Sequence, residues 1–315
     1  MVKRRLGTSG IEVAPLALGG NVFGWTADEA MSFRLLDAFT SAGFNMIDTA
    51  DSYSKWVPGN WGGESETIIG KWLKRSGKRE KVVIATKVGS EIGPGEKGLS
   101  KSYMLSAIEK SLRRLQTDYI DLYQSHFDDP ETPIEETLDA YALLISQGKV
   151  RAIGASNYSA ERLSRAIEIS EERGSPGYRT LQTLYNLYDR ADYEAHLQPL
   201  CLKKGLGVLT YFSLASGFLT GKYRSEDDLA GRPRAEMVRK YLNDRGLRIL
   251  NALARVAKQY RTTSAAVSLA WLISRPGITA PIASATNTGQ LKALLEAPSL
   301  KLDDSSLKLL NQASA

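Results

Sequence analysis

VVIATK, residues 82–87, is the stretch whose reading decides the fold. Alternation along an extended chain puts Lys87 on the same face as Ala85 and Val83, with Ile84 and Val82 on the other. A barrel interior accepts the first face, and surrounding helices accept the second. The same design recurs on either side: an apolar run, a polar residue, a loop, then an amphipathic helix often closed by Gly. NMID ends at Asp48 and precedes a helix expected over 63–76, and VVIATK precedes one over 100–115. DLYQSH ends at His126 and leads into 134–146, closed by Gly148, while AIGAS ends at Ser156 and leads into 159–172, closed by Gly174. TLQ ends at Gln182 and GVLTY at Tyr211.

Strands that alternate with helices imply a parallel sheet, because parallel neighbours need a crossover. Counting LALG around Leu18 as the first strand and TAPIAS around Ile282 as the last gives eight, the number that closes a (β/α)8 barrel, or TIM barrel. The competing arrangement is a doubly wound Rossmann sheet. No GxGxxG follows any expected strand, and the polar residues collect at strand C-termini, so the barrel is favoured. RRLG, TSG and IEVAPL read as a β-hairpin turning near Gly10 and lying over the barrel's N-terminal end. Residues 213–245 hold no clear strand and read as a long functional loop at the active end. The whole of 1–315 is read as a single domain.

Composition narrows the function classes. No apolar run approaches the roughly 20 residues that span a bilayer, and the N-terminal residues carry charge without an apolar core. Cys201 is the only cysteine, which excludes an internal disulfide or a thiolate metal cluster and suits the cytoplasm; no metal site is expected. The +6 charge arises from 41 basic and 35 acidic residues. The densest basic stretches, 71–81 and 232–240, hold a single aromatic between them, Trp72, and no nucleic-acid motif, so they read as solvated faces rather than a nucleic-acid surface. No motif specifies an oligomeric state.

Asp48 to Lys87 and Lys87 to His126 are each 39 residues, one barrel unit apiece. Adjacent strand ends therefore bring three polar groups around one mouth, with Tyr53 in the loop just after Asp48. A phenol with a pKa around 10 holds its proton tightly at neutral pH. An adjacent ammonium would lower that value, so Lys87 is expected to activate Tyr53, Asp48 to hold Lys87, and His126 to orient a substrate carbonyl. Taken singly, Tyr53 reads as packing, Asp48 as a cap, and both His126 and His196 as structural.

Together these blocks resemble the aldo-keto reductase superfamily, from about Arg4 to Leu309. NMIDTADSY is similar to its Asp and Tyr motif, IATKVG to its Lys strand, and IDLYQSHFDDPETPIEETLDA to its His strand and following helix. GKVRAIGASNY, LQTLYNLYDR and LTYFSLASGFLTGKYR match its cofactor-binding segments in order. The resemblance implies an enzyme that interconverts aldehydes or ketones and alcohols with NADPH, or alternatively NADH, bound across the barrel mouth. It implies a tetrad of Asp48, Tyr53, Lys87 and His126. It implies carboxamide contacts from Ser156, Asn157 and Gln182, and stacking of Tyr211 on the nicotinamide. Ser213, Leu214, Gly217, Leu219 and Lys222 would follow the pyrophosphate and ribose, with Gly20 and Asn21 lining the same cleft.

The adenosine end departs from the pattern. Many relatives carry an Arg for the 2′-phosphate where this chain has Thr286, and an Asn where it has Leu294. Ser284, Thr286 and Gln290 remain as adenosine contacts, with Lys222 nearby. The loop SKWVPGNWGGESE is long and aromatic, and Trp25, Trp56, Trp61 and Phe127 are expected to wall an apolar substrate pocket. With no cationic cluster expected opposite Tyr53, uncharged aldehydes, ketones or sugars are the expected substrates. The rival reading is a non-catalytic nicotinamide-binding regulatory subunit, because potassium-channel β subunits resemble the same family. The hairpin starts almost at Met1, without an added segment, which favours the plain enzyme.

Overall fold

The computed structural model describes residues 2–315. A short antiparallel hairpin, β1 (Arg4–Arg5) and β2 (Glu12–Val13), comes first. Eight parallel strands follow: β3 (Ala17–Gly19), β4 (Met46–Asp48), β5 (Val83–Val88), β6 (Ile120–Ser125), β7 (Val150–Ser156), β8 (Thr180–Leu184), β9 (Gly207–Tyr211) and β10 (Ile278–Ala283). They close in that order, with β10 paired to β3. The Rossmann alternative is thereby excluded.

The first five helices are α1 (Glu29–Ser41), α2 (Glu64–Ser76), α3 (Lys101–Leu115), α4 (Ile134–Ser146) and α5 (Ala160–Glu172). They are followed by α6 (Gln198–Lys204), α7 (Ala235–Arg239), α8 (Asp244–Tyr260), α9 (Ser264–Ser274), α10 (Thr288–Glu296) and α11 (Asp304–Ser314). Three of the expected helices begin one residue late because their expected first residue, Gly63, Ser100 or Ser159, is the cap. Ser100 and Ser159 keep extended backbones while their hydroxyls accept the N–H groups of Tyr103 and Arg162.

Strand parity holds along β5. Val83 and Ala85 pack inside the barrel with Leu122, Ala152, Leu209 and Ala280, while Val82, Ile84 and Val88 join the layer between strands and helices. Thr86 also points outward and donates to the buried Glu66 of α2 at 2.6 Å. The interior is thus a packed core below the polar groups at the strand ends.

The hairpin plugs the other end. Leu6 and Val13 are fully buried against the interior cluster, and Arg4 donates to the carbonyls of Ile278 and Ile273. Gly7 sits at φ +58°, where a Cβ would lie 2.2 Å from the Arg179 carbonyl oxygen, so the chain can pass this close to β8 and β9 only without a side chain. No helix among the described residues is long and apolar enough to cross a membrane.

Candidate active site

Lys87 and Asp48 are almost wholly buried at the C-terminal ends of β5 and β4. The Lys87 Nζ donates to Asp48 Oδ2 at 2.8 Å, to the Thr49 carbonyl at 2.8 Å and to the Tyr53 hydroxyl oxygen at 2.9 Å. An ammonium has three protons, so its donor capacity is filled and its position fixed. Asp48 uses its other oxygen to accept from the Gln182 amide at 2.8 Å, and the Tyr53 hydroxyl stands 3.4 Å from Oδ2. Burial pushes the Lys87 pKa down, but the carboxylate of Asp48, together with Tyr53, outweighs it and leaves the value raised. The group stays charged.

Tyr53 departs from expectation. Burial, reinforced by Asp48, pushes its phenol up to about 12 despite the pull of Lys87. The sequence displays the neighbouring cation but not the desolvation that opposes it. His126 follows the last residue of β6, with its ring centroid 6.0 Å from that of Tyr53. Burial, with the Lys87 charge adding to it, lowers its pKa to about 3, so the imidazole is neutral at ordinary pH. Its Nδ1 is buried without a partner. The mouth therefore holds a protonated phenol backed by an ammonium, beside a neutral imidazole. That set can give one proton and one further hydrogen bond to an oxygen.

Further polar groups ring this centre. Asn157 occupies the left-handed region at φ +57°, donates to the His126 carbonyl at 2.9 Å and to Ser156, and accepts from the Tyr211 hydroxyl at 2.6 Å. Ser284 donates to Asn21 at 2.6 Å, joining the ends of β10 and β3, with Gly20 beside them. Thr286 and Gln290 bond to one another at the start of α10. Leu294, where an Asn was expected of many relatives, is buried in the core.

The loop after β9 is strained. Phe212, Ala215 and Ser216 all have positive φ, and Gly217 reaches +98°. Left-handed residues in series turn peptide N–H groups toward a common concavity, the usual form of a phosphate nest. A Cβ on Gly217 would come within 3.6 Å of the Lys222 ammonium, so side chain and nest face one another. Ser213 spends its hydroxyl on Thr210, Leu214 is half-buried, and Leu219 is wholly buried, so Leu219 can offer only backbone.

Three of the four expected aromatic residues gather at the mouth. Trp25 meets Trp56 edge-on at 5.6 Å, Trp56 lies 6.1 Å from Tyr53, and Phe127 stacks on His126 at 4.9 Å. Trp61 pairs with none of these rings and is 84% exposed. Reading 232–240 as a solvated basic face missed Arg234. Its guanidinium lies 5.3 Å over Trp25 and, among the described residues, makes no ion pair. Its pKa is lowered by burial. An Arg in the middle of a long loop at the active end was the available signal.

The aldo/keto reductase family model matches residues 15–315. The chain belongs to the aldo/keto reductase family. That makes it an oxidoreductase of the (β/α)8 type, in a family whose members generally bind NAD(P)H and act on small carbonyl compounds. It is 37% identical over 314 residues to the uncharacterized oxidoreductase YrpG of Bacillus subtilis (strain 168), covering 97% of this chain and 94% of that one. It is 34% identical to the aldo-keto reductase YhdN of the same organism, covering 96% and 89%. A probable voltage-gated potassium channel subunit beta of Oryza sativa subsp. japonica is 33% identical, covering 92% and 89%. Among the described residues no His, Cys, Asp or Glu cluster is placed to hold a metal.

Proposed function

We propose that this aldo/keto reductase reduces small, uncharged aldehydes, ketones or sugars, or oxidises the corresponding alcohols, with Tyr53 as the proton-transferring residue. The observation that carries the reading is the saturated Lys87 ammonium, 2.9 Å from the Tyr53 oxygen and 2.8 Å from Asp48. Bound NADPH or NADH would supply the hydride. Tyr53 gives its proton to the carbonyl oxygen as negative charge develops there. Lys87 stabilises the phenolate left behind, and Asp48 keeps Lys87 charged and in place. The free edge of neutral His126 donates to the same oxygen and sets the angle of the carbonyl.

The residues at the mouth suit a long anionic nucleotide. Tyr211 would stack on the nicotinamide, with Ser156, Asn157 and Gln182 at its carboxamide and Gly20 and Asn21 lining the cleft. The nest at 212–217, with Ser213, Leu214, Leu219 and Lys222, suits a pyrophosphate, and Arg234 supplies a second cation without a carboxylate partner. Ser284, Thr286 and Gln290 would meet the adenosine. NADPH is the expected cofactor and NADH the alternative, since Thr286 offers the 2′-phosphate one hydroxyl where a guanidinium would offer a bidentate contact. The rim of Trp25, Trp56 and Phe127 suits an apolar substrate body.

The channel-subunit relatives favour a second reading, a nicotinamide-binding regulatory subunit without turnover. A spectrophotometric assay with both cofactors and a panel of aldehydes, ketones and alcohols separates the two. Tyr53→Phe should retain cofactor binding and lose nearly all turnover. Substantial reduction by that variant defeats the role given to Tyr53, and no turnover by the wild type defeats the enzyme reading.

A further inference from the structure

A cleft of about 490 Å³ lies at the end of the barrel opposite the mouth, between the hairpin, α6 and α9. That volume falls within the ~300–1,000 Å³ common for ligand sites. Its floor is the start of β9 and β10, at Gly207 and Ile278, and Arg4, Arg5 and Arg275 are among its lining residues. No carboxylate lines it.

The charge balance specifies the ligand. Arg4 spends two N–H groups on the Ile273 and Ile278 carbonyls and has no acidic partner. Arg5 is exposed, with no ion pair among the described residues. Arg275 lies 3.7 Å from Glu194, a carboxylate that Arg190 approaches more closely at 2.9 Å. Its Nε is buried without a partner. Against these three cations stand the C-termini of α6 and α9, each equivalent to about half a negative charge. The remainder is about two positive charges, facing a space that water and a solute can enter.

We propose that this cleft binds a small organic dianion, carrying either a phosphate or a pair of carboxylates. Arg5 and Arg275 provide the charge, and planar guanidinium forks suit both acceptor groups. The ligand would tie the hairpin to α6 and α9. Because these contacts exist only in the folded chain, binding raises the melting temperature with ligand concentration. Strand N-termini carry stability rather than chemistry in barrels of this kind, so the site is non-catalytic.

Isothermal titration and thermal melting with glycerol 3-phosphate and with succinate, against glycerol as the uncharged control, test the proposal. Saturable binding of either anion is expected, with affinity at least about tenfold weaker in Arg5→Gln/Arg275→Gln and unchanged in Lys222→Gln, which alters only the opposite mouth. Binding of one probe and not the other assigns the ligand's acidic group. No saturable binding of either anion overturns the proposal. So does binding lost in Lys222→Gln but kept in the double variant, or an equal weakening by Arg113→Gln on a distant helix face.

Discussion

Replacing His126 by Gln should change how stability responds to acid. In the folded chain the imidazole pKa is lowered to about 3 from an ordinary 6.5, by burial and then by Lys87. A histidine held neutral in this way favours folding above its unfolded pKa, and the contribution fades as pH falls through the window from 6.5 to 3. At pH 4 the lag is about 2.5 pKa units, or about 3 kcal/mol at about 1.4 kcal/mol per unit. One edge of the ring is open to the cleft, and solvent there reduces the expected effect to about 2 kcal/mol. The only other histidine, His196, is exposed, and every other ionisable residue is common to both proteins. Urea unfolding of wild type and His126→Gln at pH 7 and pH 4, followed by circular dichroism, isolates the term as a difference of differences. The variant should gain about 2 kcal/mol on the wild type between the two pH values. A gap that stays constant within about 0.5 kcal/mol would refute the neutral, desolvated imidazole.

Lys87→Met should destabilise by about 3–5 kcal/mol, because it strands a buried carboxylate, whereas Asp48→Asn/Lys87→Met should recover much of the loss. Additive costs in denaturant titrations would deny the pairing. Thr286→Arg should raise the preference for NADPH over NADH by about tenfold or more, measured by fluorescence titration with each cofactor; an unchanged ratio would remove residue 286 from the phosphate site. Gly70→Ala should lower the unfolding midpoint steeply, by about 3 kcal/mol or more, since a Cβ there meets the Arg114 carbonyl oxygen at 2.0 Å between α2 and α3. Near-normal thermal unfolding would count against that contact.

The barrel was legible because parity within VVIATK, and the recurrence of polar residues at strand ends, are local consequences of a closed sheet. The grouping of Asp48, Tyr53, Lys87 and His126 was legible for the same reason: three of these residues lie at the ends of neighbouring strands. What stayed hidden depends on burial and on long-range geometry. Lys87 beside Tyr53 suggested a softened phenol, yet the desolvation that raises it to about 12 comes from the surrounding walls. Gln182 was read as a cofactor contact, and its amide proves to hold the second oxygen of Asp48, 134 positions away in the chain. Trp61 and Arg234 failed in opposite directions, one left in solvent and the other drawn onto Trp25, because loop conformation has no periodicity to betray it.

Closure of the ring joins Ala17 and Leu18 to Ile282 and Ala283, and the plug at its base ties Arg4 to Ile278, 274 positions apart. During synthesis from the N-terminus β3 can pair early with β4, but its other edge and the Arg4 side of the hairpin have no partner until nearly the whole chain has been made. Contacts of such separation form late and slowly, so β3 keeps one unpaired edge until β10 has been made. The outer edge of β3 and the inner face of the hairpin are therefore the surfaces that find their partners last.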